Sequence, residues 1–479
     1  MNVVVVGAGV GGLAAAARLA CLGHSVTVLE AQDSIGGKLG ELVRDGFRFD
    51  TGPSLLTMPA VFKDLFATTG GWPADLVLRP LDPIAHVGFA DGSTLDTSSD
   101  LDVMCARVEA LRAGNGEQWR AFQTRAERIW KASQTPFLET AVRGPRTLAA
   151  LTVRHPTDLA ALSPGRSLRD LARRHLSDPR LRMLVDRYAT YTGSDPRRAP
   201  AALAAIPYVE QAFGGWYVDG GLRRLADALL QRCLEVGVTV RTGARVTRIL
   251  DPVRGVVLSD GEVIDAGLVV ANADAAQVYG SLIDCAPASR RLARAVPSLA
   301  GFVLLLAVEG TGSRHHTVLF PQDYDAEFDA VFTQGVPVVD PTLYVSVPPD
   351  AAPPGCEAWF VLVNAPRHGS GPGCVDWRAP GQAEGYADLV LDRLQARGLR
   401  PAVRWREILT PADLEERTGS FGGAIYGSSS NGATAAFLRP ANRSPVPGLF
   451  LVGGSAHPGG GLPLVALSAK IVAGLIGPA

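Results

Sequence analysis

Apolar residues along this chain fall into short continuous runs separated by stretches of helical spacing. That is the pattern of strands covered on both faces and joined by helices. Val3 to Val6 is an unbroken β-branched run, and a helix is predicted behind it from Leu13 to Cys21. Ser25 to Leu29 predicts a second strand, closing on Glu30. Phe47 and Phe49 alternate with Arg48 and Asp50, the signature of a half-covered strand running into the turn Thr51-Gly52-Pro53-Ser54. Behind Pro59, the residues Val61, Phe62, Leu65 and Phe66 recur at helical spacing. From Leu101 to Ala204 the pattern is mostly helical, broken by Pro136, Pro145, Pro156, Pro164 and Pro179. Near Gly214 the α/β alternation returns. A helix is predicted through Leu222, Leu225, Ala228, Leu229 and Cys233, then strands at 238–241, 244–249 and from Leu268 onward. Apolar runs at 302–308 and 358–364 predict a mixed sheet. The tail closes with a strand at 449–452 and a helix from Val465 to Ile476. There is no solenoid-type repeat and no low-complexity segment.

The junctions carry the chemistry. Between the first strand and helix stands Gly7-Ala8-Gly9-Val10-Gly11-Gly12. Gly7 permits the tight turn, Gly9 lets the backbone approach a pyrophosphate, and Gly12 lets helix and strand pack closely. The helix N-terminus then presents free N–H groups to the phosphates. Glu30 follows the glycines by about 20 residues, where a carboxylate can accept from ribose hydroxyls. Together these mark a dinucleotide-binding unit. Ala31 then leads to Gly36-Gly37-Lys38, a flexible loop with a cation for the phosphates. NAD enzymes have no need of this element, whereas flavoproteins with two dinucleotide folds carry it, so the cofactor reading moves from NAD to FAD. Asp50-Thr51-Gly52-Pro53-Ser54 would bring backbone N–H groups to the same ligand, and Val246 is the natural candidate for the mid-chain strand that joins the first sheet and meets the adenine. The tail repeats the strand–glycine–helix pattern: Gly453-Gly454-Ser455-Ala456-His457-Pro458-Gly459-Gly460-Gly461-Leu462-Pro463-Leu464. Its helix N-terminus suits a polarised acceptor such as the flavin C2 carbonyl.

Composition narrows the rest. A chain of 479 residues is too long for one compact domain. A net charge of −1 gives no basic field for nucleic acid. The six cysteines are scattered with no metal-like spacing, and read as reduced thiols of a cytoplasmic protein. The first strand begins at residue 3, which leaves no room for a signal peptide. No run is apolar and long enough to span a bilayer. Mean hydropathy is nevertheless +0.14, which fits either a large core or apolar surface against a membrane. The helical middle carries Arg143, Arg146, Arg154, Arg166, Arg169, Arg173, Arg174, Arg180, Arg182 and Arg187 among Leu, Ala and Val. A face resting on anionic lipid and a solvated cap face explain it equally well.

Certain segments together resemble the bacterial carotenoid (phytoene) desaturases, within the amine oxidase-like FAD proteins. They are Val6 to Leu13, Phe49 to Ser54, Ile206 to Gly214, Trp216-Tyr217, Val270 to Asp274, His315-His316-Thr317, Phe437 to Pro440 and the tail from Leu449. The Gly-Gly-Ser-Ala-His-Pro-Gly-Gly-Gly form of the tail is similar to the branch acting on hydroxylated or methoxylated neurosporene. The resemblance implies an α/β, Rossmann-type two-dinucleotide-binding FAD fold. Its FAD part would comprise 1–60, 214–300 and 420–479, a mixed-sheet substrate part 61–100 and 301–419, and a helical, membrane-contacting cap 101–213. It implies FAD-dependent introduction of carbon–carbon double bonds into a polyene held in an apolar tunnel. FAD would be held by Gly7, Gly9, Val10, Gly11, Gly12, Glu30, Ala31, Gly36, Gly37, Lys38, Gly52, Pro53, Ser54, Val246, Gly453, Gly454, Leu462 and Leu464. His457 and Glu210 are candidate proton acceptors, against plainer roles as a turn-stabilising residue and a salt-bridge or helix-end residue. No metal is expected, and His315-His316 read as loop residues lining the substrate region. A second fingerprint for NAD is missing, so a membrane quinone or oxygen is the expected electron acceptor at the inner face of the membrane. A flavin amine oxidase and a FAD-dependent carotenoid isomerase are the alternatives.

Overall fold

The computed structural model describes residues 1–141, 161–432 and 435–479. Its organising element is a five-stranded parallel sheet in the order Leu449–Leu451, Leu268–Ala271, Asn2–Val6, Ser25–Leu29, Thr239–Arg241. The first and last predicted strands thus lie either side of Leu268–Ala271, in parallel register with it. The valine run is continuous because both sheet faces are covered. Val3 and Val5 pack under the helices Val10–Cys21, Arg223–Glu235 and Leu462–Ile476, while Val4 and Val6 pack against a small antiparallel sheet on the other side.

That small sheet corrects one expectation. Val246–Ile249 does not join the parallel sheet; it pairs with Gly255–Leu258, and that strand with Val263–Asp265. Val246 and Ile249 are buried while Thr247 and Arg248 are exposed. A strand with one wet face cannot be sandwiched between two layers, so it sits outside as a cover. The mid-chain strands that do join are Thr239–Arg241 at the edge and Leu268–Ala271 inside.

A second, seven-stranded mixed sheet runs in the order Ala402–Leu409, Ala300–Glu309, Cys356–Ala365, Leu343–Ser346, His316–Leu319, His86–Gly88, Thr94–Asp96. His316 therefore opens a strand rather than lying in a loop. The helix Pro59–Thr69, drawn with the substrate half from sequence, packs into the first core through Phe62, Leu65 and Phe66. The cap helices Leu101–Leu111, Asn115–Ser133, Leu168–His175, Pro179–Arg187 and Ala205–Phe213 share a core with Val87, Val318 and Phe320 of the mixed sheet.

Several of the cap arginines are spent on internal bonds. Arg169 is buried and pairs with Asp186 at 2.9 Å, Arg180 pairs with Asp178 at 2.8 Å, and Arg182 donates to the Leu176 carbonyl at 2.6 Å. Arg166, Arg173 and Arg174 remain exposed. Arg143, Arg146 and Arg154 lie outside the described residues. No helix among the described residues is long and apolar enough to cross a membrane. All six cysteines are free thiols.

Two glycines test this packing from opposite directions. A Cβ on Gly12 would lie 2.1 Å from the Gly7 carbonyl oxygen, and neither backbone can yield. Gly474, in the last turn of the closing helix, is exposed and has nothing within 4 Å. Gly12→Ala should cost at least about 3 kcal/mol in urea unfolding, while Gly474→Ala should add about 0.5–1 kcal/mol. Equal effects would contradict this account of the helix–strand contact.

Candidate functional site

The turn out of the first strand has Gly7 at φ 97°, which the missing side chain allows. Helix Val10–Cys21 starts behind an extended Gly9 with no side-chain cap and no acidic residue in its first turn. Its first intrahelical bond runs from Leu13 N to the Gly9 carbonyl, so the N–H groups of Val10, Gly11 and Gly12 precede the helical ladder. The closing helix repeats this arrangement. Leu462–Ile476 begins behind Gly461, again without side-chain cap or acidic first turn, and its first internal bond is Val465 N to Gly461 O. Some other helices are capped, by Asp100, Ser167, Asp178 and Thr410, while those behind Met58, Gly114 and Gly381 also lack a side-chain cap. The N-termini behind Gly9 and Gly461 both face one cavity of about 430 Å³, within the range of cofactor sites. Partial positive charge from two helix ends therefore converges on one space.

Asn272 fixes how closely these two ends approach. It follows the strand between them, and its backbone N–H donates to the Val6 carbonyl at 2.8 Å. A Cβ on Gly9 would lie 2.8 Å from its amide nitrogen, and one on Gly11 or Gly453 would lie 2.6 Å from its amide oxygen. Its side chain is wedged between the N-terminal and C-terminal glycine turns.

Charged groups ring the cavity. Glu30 accepts from Ala8 N at 2.7 Å and Gln32 N at 3.0 Å, which pins its carboxylate beside the glycine loop. Both oxygens keep further accepting capacity toward the cavity. Lys38 is buried and donates to the carbonyls of Ala424 (2.9 Å) and Ile425 (2.6 Å), tying the Gly36-Gly37 loop to the 424–425 segment. Burial pulls its pKa down to about 8, against the opposing attraction of Asp274. Burial likewise raises the Asp274 carboxyl, with Lys38 and Arg439 holding it back. Gly52 packs on the same loop: a Cβ there would meet the Lys38 carbonyl at 1.9 Å. Asp50 does not face the cavity; it accepts from Leu222 N and Arg223 N at the start of helix Arg223–Glu235, and burial raises its pKa to about 6. Arg417 donates to Thr51 Oγ1 at 2.7 Å, and its buried Nε has no partner.

The cavity lining also has an apolar part, Val303, Phe360, Leu362, Leu409, Leu414 and Ile425, beside polar groups such as Asp413, Glu416, Arg417 and Tyr426. Most of the apolar residues come from one face of the mixed sheet, where Val303 lies across from both Leu362 and Leu409.

Over residues 10–477 the chain matches the family model described as flavin containing amine oxidoreductase. The chain belongs to that family. It is 36% identical to a hydroxyneurosporene desaturase of Cereibacter sphaeroides, over 98% of this chain and 96% of that one. It is 34% identical to a 4,4'-diapolycopene oxygenase of Methylomonas sp, over 98% and 97%. Among solved structures, putrescine oxidase bound to putrescine aligns with TM-score 0.66 at 16% identity, covering 99% of both chains. An oxidoreductase from Methanosarcina mazei aligns with TM-score 0.65 at 19% identity, over 98% and 99%.

This flavin oxidoreductase uses FAD, and the cavity suits it. Two uncapped helix ends would provide N–H donors for phosphate and flavin oxygens, Glu30 would provide an acceptor for ribose, and the glycines would leave room for a flat or anionic group. Of the positions singled out from sequence, Gly7, Gly9, Val10, Gly11, Glu30, Ala31, Gly36, Gly37, Lys38, Gly52, Pro53, Val246, Gly453, Gly454 and Leu462 line the cavity. Gly12 stands behind it in the helix–strand contact. Leu464 also stands off the cavity wall. Ser54 Oγ instead lies 2.7 Å from the Tyr344 hydroxyl, on the substrate side. Sequence reasoning missed Asn272, Asp274, Arg417 and Tyr426 as wall residues. Asn272 and Asp274 sat inside a segment quoted for the resemblance, while Arg417 and Tyr426 carry no local motif.

The two candidate proton acceptors lie apart from the cavity lining. His457 packs its ring against the cap, Nε2 donating to the Thr140 carbonyl at 3.0 Å. Its own carbonyl accepts from Asn442 Nδ2 and Ser468 Oγ, both at 2.8 Å. Glu210 is buried in the cap and accepts from the Tyr188 hydroxyl at 2.5 Å; burial raises its pKa.

Burial brings the His457 imidazole down from 6.5 to about 4. The unfolded chain therefore binds more protons between those values, and His457's contribution to stability, present above pH 6.5, is lost as pH falls toward 4. That contribution is worth up to about 3 kcal/mol. In urea unfolding across this window, the stability advantage of wild type over His457→Gln should shrink as the solution is acidified. An advantage that stays constant would contradict a buried, neutral ring.

Proposed function

We propose that the protein is a FAD-dependent desaturase that introduces carbon–carbon double bonds into a carotenoid or similar polyene. The observation that carries this reading is that Val303, Phe360 and Leu362 of the mixed sheet, with Ile425, line the same cavity as the glycine turns. A saturated C–C bond beside a polyene has no polar handle, so alignment must come from shape and burial. The names of the relatives, carotenoid desaturases and oxygenases, support the same substrate class.

Bound in the cavity, FAD supplies the hydride acceptor, and the electronics of the step are the cofactor's own. The chain's residues hold and orient. The mixed-sheet face excludes water and lays the polyene along one direction, and Lys38 fixes the glycine loop against the 424–425 backbone so that both walls keep their spacing. His457 and Glu210 stand back from the cavity, which supports positioning roles for both: His457 docks the tail turn on the cap, and Glu210 anchors Tyr188.

The proposal extends to the setting. A polyene resides in lipid, so the protein works at the inner face of the membrane and passes electrons to a quinone or to oxygen. The exposed Arg166, Arg173 and Arg174 at one end of the cap support contact with anionic headgroups.

Anaerobic mixing of the FAD-loaded protein with neurosporene, hydroxyneurosporene or phytoene in liposomes should bleach the flavin and yield a product absorbing at longer wavelength. No bleaching by any of the three, together with peroxide formation from putrescine in air, would overturn the desaturase reading.

A further inference from the structure

Beyond the apolar wall, the same sheet face turns polar. Tyr344 lies directly across from Leu362, and Ser346 directly across from Phe360, one strand farther from the cofactor. His316 is next, paired with Ser346. Above them the cap places Arg187, at the end of helix Pro179–Arg187, and Tyr191 in the turn that follows.

These groups are bonded to one another in a chain that leaves capacity unused. The Tyr344 hydroxyl is 2.8 Å from His316 Nδ1 and 2.7 Å from Ser54 Oγ. Arg187 Nη1 donates to the Tyr191 hydroxyl at 2.9 Å, and its guanidinium stands 5.1 Å from the Tyr191 ring centre and 5.8 Å from that of Tyr344. Arg187 makes no direct ion pair among the described residues, and the buried Glu210 carboxylate acts on its charge from farther away. His316 is 4% exposed and Ser346 is 1% exposed, yet His316 Nε2 and Ser346 Oγ have no partner. Burial and neighbouring positive charge keep His316 neutral, so it carries a single ring N–H. Whichever way the Tyr344–His316 proton points, Nε2 is left with one hydrogen-bonding function to fill.

Buried polar atoms without partners carry an uncompensated desolvation cost. A tunnel built only for hydrocarbon would place none here. Tyr426, which lines the cofactor cavity, is within electrostatic reach of Arg187, so this polar cluster lies near the cofactor wall.

We propose that the recess formed by Ser54, Arg187, Tyr191, His316, Tyr344 and Ser346 binds a hydroxyl group carried by the polyene. Arg187 donates to the hydroxyl oxygen, and the hydroxyl or His316 Nε2 completes the second bond. Anchoring the oxygenated end there sets which carbon–carbon bond lies against the flavin, so the recess determines both substrate choice and position of desaturation. The inference rests on the desaturase reading.

The test is the rate of anaerobic flavin bleaching by hydroxyneurosporene and by neurosporene, in the same liposomes, for the FAD-loaded wild type, Tyr344→Phe and Arg187→Met. A site that hydrogen-bonds a substrate hydroxyl rejects the analogue lacking it by large factors. We expect the wild type to favour the hydroxylated substrate by roughly 10²-fold or more in kcat/KM. In each variant that ratio should fall by at least about tenfold. Flavin content reports folding, and Tyr344→Phe, which removes a single oxygen, covers the case in which Arg187→Met does not fold. A wild-type ratio near one overturns the recess while leaving the desaturase reading intact. Variants that slow both substrates equally do the same, since they would mark a purely structural network. Bleaching by neither substrate overturns both.

Discussion

The Asn272 side chain is the constraint on which the site depends. It fills the gap between two glycine turns more than four hundred residues apart in sequence, and neither turn could come so close with a side chain at Gly9, Gly11 or Gly453. Its position follows from the parallel sheet, where Leu268–Ala271 runs between the first and last strands. Strand order therefore dictates that the helices after those two strands begin beside one another. Their free N–H groups then address a common ligand, and an anionic, dipolar dinucleotide satisfies them.

The apolar part of the lining obeys different physics. Here one face of a mixed sheet presents Val, Phe and Leu to the cavity, a surface that disfavours water. Lys38 ties the glycine loop to the 424–425 backbone through two carbonyl bonds, so these two parts of the cavity lining are held together. The cap closes the far end of that surface, with part of its arginine complement turned inward, as in the buried Arg169–Asp186 pair. A buried charge needs such partners, and their presence explains why a basic stretch of sequence is only partly a basic surface.

Much of this was legible beforehand because it rests on local rules. A continuous valine run, glycines at turn positions and an acidic residue closing the second strand mark one part of the cavity lining, and the tail glycines mark another. Val246 lines the cavity but belongs to the small antiparallel sheet and not to the parallel one expected; its polar neighbours Thr247 and Arg248 carried the signal of a half-wet strand. His457 sits inside the most diagnostic motif, yet its ring points to a cap carbonyl 317 positions away in sequence, and no motif reports side-chain direction. Ser54, His316 and Tyr344 meet only because strands from distant parts of the chain adjoin, a fact of topology that spacing does not encode. Asn272 is the clearest case: its role is to fill space between remote turns, and that is visible only once the turns are in place.

The central claim is that helix N-termini from both ends of the chain hold one FAD. Amide hydrogen exchange of the apoprotein and the FAD-loaded protein measures this directly at Val10, Gly11 and Gly12 and at Leu462 and Leu464. Both segments should exchange more slowly once FAD is added. Slowing at one end alone, or at neither, would contradict it.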